Sequence, residues 1–372
     1  MNQTTPQMKT LPEVRKLFFS IELSEKSWGL LFGDGSRQRA VKVPVGDFEA
    51  VLEAARKARD KFGLPQDCPT VSCYEAGRDG FWLHRALEDV GVTSLVVDPT
   101  SIEVDQRKRR VKTDRLDAEK LLRQLVRFCG GEQEALRVVC VPSSEAEDAR
   151  RPGRELERLK KERTAHLNRV KALLTLHGVR KFKLAKLEEV RTREGRPLPS
   201  ALLAEVLRER ERLKLIEQQI AAVEAQREAA LKDATNPLAQ KVMALMTLKA
   251  VGPGSAWLFV EEFFGWRRFR NRRQVGAAAG LTAAPFDSGK GEHDQGISKA
   301  GNRRVRTMAV QIAWGWLRYQ PDSALSAWFS KKFLSGKRSK RVGIVALARR
   351  LLIALWRFVE QGVVPEGAKL SA

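Results

Sequence analysis

Between Leu17 and Phe128 the chain alternates short apolar runs with amphipathic stretches, in an order that few folds accept. Leu17–Leu23, Trp28–Phe32 and Gln38–Val45 read as three strands, and Gly33-Asp34-Gly35-Ser36 between the second and third carries hairpin-turn chemistry. Apolar spacing then predicts a helix over Phe48–Phe62, a strand over Thr70–Tyr74, a helix over Gly80–Val90, a strand over Ser94–Val97 and a helix over Arg115–Phe128. Four carboxylates punctuate this series. Glu22 and Glu75 end the first and fourth apolar runs, and Asp114 and Asp117 open the last helix. Acids at strand ends, with an i,i+3 pair on one helical face, can converge on one point. Such a cluster of like charge is costly unless a cation fills it, and Mg²⁺ is the usual filler.

Three meandering strands followed by αβαβα match the ribonuclease H-like topology, in which active-site acids lie on the first strand, the fourth strand and the last helix. Element order and acid placement together support an α/β fold of this kind over residues 13–130. Each acid also has a plain reading. Asp114 suits a helix N-cap and Asp117 a partner of the helix dipole. That reading is weaker for Glu22 and Glu75, which directly end apolar strands. Asp98, before Pro99, reads as a strand-exit turn residue.

Composition points to a polyanionic partner. Lys and Arg number 68 against 45 Asp and Glu, a net charge of +23. Residues 241–350 alone hold 21 basic and 6 acidic side chains, so 21 − 6 leaves +15. A membrane surface is a poorer match, since no lipidation motif is visible. Met1–Pro12 lacks the apolar core of a signal peptide. No stretch reaches the roughly 20 apolar residues of a membrane span, and Val342–Val359 is interrupted by Arg349, Arg350 and Arg357. Cys68, Cys73, Cys129 and Cys140 form no C-x-x-C pair, which argues against structural zinc or a disulfide framework. A reduced, cytoplasmic protein is expected.

Residues 144–235 change character. Leu156, Leu159, Leu167, Val170, Leu173 and Leu174 form one apolar stripe. A second runs from Leu202 to Val223, and Gly195-Arg196-Pro197-Leu198-Pro199 breaks the pair. The spacing predicts a helical hairpin or coiled coil, read as a spacer or dimerisation arm. Residues 241–360 read as a mainly α-helical, basic domain. Within it, Val251-Gly252-Pro253-Gly254 resembles a helix-hairpin-helix turn, although a ligand-free turn between helices fits nearly as well.

Three basic or glycine-rich segments are candidates for phosphate contact. Arg107-Lys108-Arg109-Arg110-Val111-Lys112 lies directly before Asp114, where a run otherwise read as a solvated face gains a reason to grip phosphate. Gly280-Leu281-Thr282 leads through Ser288-Gly289 to Ser298-Lys299-Ala300-Gly301-Asn302-Arg303-Arg304-Val305-Arg306. Glycine-rich loops and arginine forks bind phosphate through N–H groups, which makes Lys299, Arg303, Arg304 and Arg306 candidates. Ser288 and Ser298 are loop hydroxyls. Only His293 is close in sequence, so no Ser–His pair is evident.

These pieces together resemble the DEDD-type insertion-sequence transposases, the family numbered one-ten with its eleven-eleven subgroup. The matching segments are Ile21-Glu22-Leu23-Ser24, Tyr74-Glu75-Ala76-Gly77, Lys112-Thr113-Asp114-Arg115-Leu116-Asp117-Ala118, Val251-Gly252-Pro253-Gly254, Ser288-Gly289 and Ser298-Lys299-Ala300-Gly301-Asn302. Their order holds from residue 17 to about residue 320. The resemblance implies a RuvC-like domain joined to a transposase domain. Glu22, Glu75, Asp114 and Asp117 would ligate Mg²⁺ (or Mn²⁺), and Ser288 would be the nucleophile that forms a phosphoserine link to DNA. It also implies a homo-oligomer (dimer or tetramer) acting on donor and target DNA, guided by a structured bridge RNA encoded by the mobile element. The family usually has Asp where this chain has Glu22, one methylene longer. The rival expectations are a site-specific invertase, a junction-resolving nuclease that uses only the acids and water, and a nucleic-acid-binding protein without catalysis.

Overall fold

The computed structural model describes residues 15–102, 114–288, 291–333 and 336–371; of 114–116, 284–288, 291–295, 337 and 338 it describes the backbone alone. The chain divides into two compact units after Val141.

The first unit is built on a five-stranded mixed sheet in the order β3-β2-β1-β4-β5. Its strands are β1 (Leu17–Leu23), β2 (Trp28–Gly33), β3 (Gln38–Val43), β4 (Thr70–Glu75) and β5 (Thr93–Val97). The meander β1-β2-β3 is antiparallel, and β4 and β5 join β1 in parallel. Parallel neighbours need crossovers, and the helices supply them. They are α1 (Phe48–Phe62), before β4, and α2 (Trp82–Asp89), before β5, while α3 (Asp114–Cys129) follows β5 and packs on the sheet. Asp47 caps α1 by accepting from the Ala50 amide, and Gly63 ends it in the left-handed region.

Side chains alternate across a strand, so β1 serves two cores. Leu17, Phe19 and Ile21 face one, together with Tyr74, Val51 and Phe62. Phe18 faces the other, with Val71, Cys73 and the Ala118, Leu121, Leu122 and Leu125 stripe of α3. A central strand buried on both faces carries a near-continuous apolar run, as Leu17–Ile21 does. Ser20 is the polar exception, and its hydroxyl donates to the Ala118 carbonyl of α3 at 2.9 Å. The α3 side of the sheet is thereby tied to the first turns of that helix.

The second unit begins with α4 (Ser144–Asp148) and a long hairpin of α5 (Arg151–Thr175) and α6 (Ser200–Lys232). Leu156 and Leu159 meet Ile216, Ile220 and Val223, while Val170 and Leu174 meet Val206. Ion pairs Lys160–Glu224 and Arg169–Glu205 follow the same antiparallel register. This pairing is made within one chain.

The remaining helices are α7 (Pro237–Met246), α8 (Pro253–Phe259), α9 (Arg272–Ala278), α10 (Arg303–Tyr319), α11 (Ala324–Phe333) and α12 (Lys337–Gln361). They close around Phe259, Phe263, Phe264, Trp316, Leu351 and Leu355. One departure from the sequence reading lies here. The segment read as a glycine-rich loop forms a two-stranded antiparallel ribbon, β6 (Ala283–Ser288) with β7 (Gly291–Ile297). No helix among the described residues is long and apolar enough to cross a membrane.

Candidate active site and nucleic-acid interface

The acids of the first unit share one side of the sheet. Ile21 is in register with Tyr74 across the parallel β1–β4 pair. Glu22 and Glu75 occupy the next position on each strand. By alternation from Ser20 and Cys73, both fall on the side covered by α3. Going up β1 corresponds to going down α3: Gly33, opposite Phe18, lies against Leu122, and Ser20 bonds to Ala118. Asp117 and Asp114 are therefore at the end of α3 nearest Glu22. Glu75 is exposed, and Glu22 and Asp117 are half-buried. Lys120 Nζ stands 3.5 Å from Asp117 Oδ1, one helical turn along.

Among the described residues no three Asp, Glu, His or Cys side chains are grouped closely enough to hold a metal. The Asp114 side chain is not among them. Carboxylate donors such as Glu22, Glu75 and Asp117 suit a hard divalent cation rather than zinc. The basic run Arg107, Lys108, Arg109, Arg110 and Lys112 lies outside the described residues.

In the second unit the motif residues divide into builders and exposed cations. Gly280 has φ +66° and Gly301 φ +148°. A Cβ on Gly301 would sit 2.5 Å from the Ala278 carbonyl oxygen and from the Gly280 amide. A Cβ on Gly280 would sit 2.6 Å from Arg306 Nη1. The two loops cross backbone to backbone, and only glycine permits it. Arg306 Nη1 donates to the carbonyls of Ala279 and Lys299, both at 3.0 Å, and fastens the crossing. Asn302 caps α10 by accepting from the amides of Arg304 and Val305. Its Nδ2 donates to Glu262 Oε2 at 2.9 Å. Arg304 Nε donates to Glu157 on α5 at 2.7 Å. Lys299 and Arg303 remain exposed. The Ser288 backbone ends β6 opposite Gly291; its side chain lies outside the described atoms. Ser298 is exposed, and its Oγ accepts from Thr282 Oγ1 at 3.2 Å. Gly252 is the N-cap of α8, whose first turn holds Pro253 and Gly254, with open space at both glycines.

Glu261 and Glu262 belong to none of the sequence motifs, yet they anchor this unit. They sit in a π-helical turn, Val260–Phe264, closed by the Gly265 amide donating to the Val260 carbonyl at 2.7 Å. The wider turn directs two consecutive acids inward, where they are 4% and 3% exposed. Glu262 accepts two hydrogen bonds from Arg154 at 2.7 and 3.1 Å. Glu261 accepts from Arg227 Nη2 at 2.6 and 2.8 Å. The signal was present in Leu258-Phe259-Val260-Glu261-Glu262-Phe263-Phe264, where two charges interrupt an apolar run.

The two acids titrate in opposite directions. Burial raises Glu262, but the bonds from Arg154 and Asn302 outweigh it and hold the carboxyl below its ordinary value. For Glu261 burial dominates over Arg227, and the carboxyl is pushed up to about 7. From an unfolded value near 4.5, the folded chain thus retains a proton that the unfolded chain has lost. Stability contributed by this group therefore falls as pH rises through that window, by up to ~3 kcal/mol. The expected result is a higher melting temperature at about pH 5.5 than at about pH 7.5, with the slope flattened in Glu261→Gln. An unchanged slope in that variant, followed by calorimetry, would remove Glu261 as its source.

A family model described as "Transposase IS116/IS110/IS902 family" matches residues 242–326, the stretch that holds the π turn, the ribbon and the glycine crossing. The transposase-named y4rJ of Sinorhizobium fredii is 44% identical over 379 residues, covering 95% of this chain and 94% of that protein. The chain belongs to the IS110/IS116 family of transposases. More distant similarity extends to the transposase for insertion sequence element IS1111A of Coxiella burnetii, at 24% identity over 73% of each chain. The transposase for element IS1328 of Yersinia enterocolitica is 23% identical over 80% of this chain and 85% of its own.

Proposed function

We propose that the chain is a DNA transposase that cuts and rejoins strands through Ser288, with a divalent cation held by Glu22, Glu75, Asp114 and Asp117. The observation that carries this reading is the shared position of Glu22 and Glu75, one step beyond the Ile21–Tyr74 pair on the side of the sheet covered by α3. The strand order β3-β2-β1-β4-β5, with its antiparallel meander and parallel extension, supports a ribonuclease H-like, RuvC-like assignment for the first unit. Family membership supports DNA as the substrate.

In the proposed reaction Ser288 Oγ forms a bond to a backbone phosphorus as the bond from phosphorus to one sugar oxygen breaks. The serine proton passes to water, and the departing sugar oxygen takes a proton from water and leaves as a hydroxyl. A hydroxyl of the recipient strand then attacks the phosphoserine, restoring a phosphodiester and freeing the serine. The bond count is unchanged, so no external energy source is needed. A bound Mg²⁺ (or Mn²⁺) would supply Lewis-acid stabilisation of the phosphoryl charge. Lys299 and Arg303 would orient the backbone from their exposed positions near the ribbon. A structured guide RNA and a homo-oligomeric state belong to the same proposal through the family resemblance, with sequence reading delegated to base pairing.

The deciding experiment is recombination in cells, using the gene with its native flanking DNA and a genomic target library. Junctions formed by the wild type and lost in Glu22→Gln would support the proposal. Binding of nucleic acid without any junction would overturn it in favour of a non-catalytic binding protein. Asp117→Asn is expected to lower strand exchange by about 10²-fold or more across a Mg²⁺ titration. An unaltered Mg²⁺ response would return Asp117 to the start of α3 as a partner of Lys120.

A further inference from the structure

A groove of about 1270 Å³ opens in the second unit, between α12, α9, α11 and the base of the β6–β7 ribbon. It exceeds the roughly 300–1,000 Å³ of a small-molecule pocket. Along α12, Arg341, Arg349, Arg350 and Arg357 line it, and Arg272 and Arg273 approach from α9. Lys299 adds a seventh cation, against a single carboxylate, Glu366. None of these seven has an ion-pair partner among the described residues. The floor is apolar, with Val345, Ile353 and Trp328. The Arg350 guanidinium lies over the Trp328 ring, 3.9 Å from its centre. Trp328 Nε1 and Arg349 Nε are buried with no hydrogen-bond partner among the described residues.

We propose that this groove is a binding site for a single-stranded polynucleotide, with bases over Trp328 and Arg350 and phosphates on the flanking arginines. The inference rests on the transposase reading and deepens it. A concave cleft with an aromatic floor takes unpaired bases, which offer π-faces for stacking. Duplex readers instead present a convex helix or ribbon to the major groove. The span from Arg341 to Arg357 on α12 is about 24 Å at 1.5 Å per residue. That matches about seven stacked nucleotides at roughly 3.4 Å each. Ala283, Gly296 and Ile297 form part of the wall, so the groove abuts the base of the ribbon that carries Ser288.

The test is fluorescence anisotropy of the full chain with labelled oligonucleotides of about 12 nucleotides. Single-stranded DNA, single-stranded RNA and duplex DNA of one sequence are compared over a salt series. For Trp328→Leu, single-strand binding should weaken about tenfold with an unchanged salt slope, because stacking releases no counterions. Arg350→Gln combined with Arg357→Gln should weaken it at least as much and reduce the slope by about 1.4, two contacts at ~0.7 each. Duplex binding should hold within about twofold in both variants. Tighter binding of RNA or of DNA by the wild type would identify the source of the strand. Equal losses for duplex and single strand, or no loss in either variant, would overturn the groove assignment and leave the transposase reading intact. A wild type that binds no oligonucleotide would overturn the groove assignment as well, the transposase reading being decided separately by the recombination assay.

Discussion

Ser288→Ala is expected to abolish strand exchange, by ~10⁴-fold or more, while nucleic-acid binding survives. A nucleophile that forms a covalent intermediate has no partial substitute when its oxygen is removed. The structural cost should be small. Ser288 ends a short two-stranded ribbon, and alanine keeps the backbone pairing opposite Gly291. The direct readout is the covalent adduct: end-labelled DNA that remains attached to the wild-type protein in a denaturing gel, and is absent with the variant. Ser298→Ala is the matched control. Its hydroxyl accepts from Thr282 across the same segment, so its loss should cost at most a few-fold. Full recombination by Ser288→Ala would end the nucleophile assignment. Loss in Ser298→Ala alone would move the role there, and indifference to both would favour an acid-and-water nuclease.

The strand positions of Glu22 and Glu75 were legible because a central strand buried on both sides writes a continuous apolar run, and the first charge after it marks the strand's exit. Leu17–Ile21 and Thr70–Tyr74 approach this form, interrupted only by small hydroxyl side chains, and Glu22 and Glu75 are the first charges after them. The β6–β7 ribbon was not legible. Gly291-Glu292-His293-Asp294-Gln295-Gly296 has no apolar period, so a strand there reads as a loop. The roles of Arg304 and Arg306 were hidden for another reason. An Arg-rich motif looks alike whether its guanidinium groups face phosphate or fasten the protein. Only the tertiary pairing of Arg304 with Glu157, and of Arg306 with two carbonyls, separates them from Lys299 and Arg303. The π turn was invisible too, since ordinary helical spacing sets Glu261 and Glu262 about 100° apart around the axis.

Glu262→Ala is expected to destabilise the second unit by about 2–3 kcal/mol, the loss of charge-assisted hydrogen bonds at a buried carboxylate whose partner Arg154 stays within reach of water. Glu262 collects a bidentate pair from Arg154 on α5 and a hydrogen bond from Asn302, and Arg304 Nη1 stands 3.9 Å away. Removing it unpairs the guanidinium of Arg154 and the amide of Asn302 at once. Asn302 also caps α10 and follows Gly301, so the disturbance reaches the glycine crossing that supports the ribbon. Glu262→Gln should cost less, since its carbonyl can still accept from Arg154 or Asn302 but its NH₂ faces donors. Arg154→Met tests the partner. If the pair works as a unit, the Glu262→Ala and Arg154→Met double variant should be less destabilised than the sum of the singles, by ~1–3 kcal/mol. Urea unfolding measures all four chains. Purely additive losses would mean that Glu262 acts through Asn302 and the ribbon rather than through the anchor to α5.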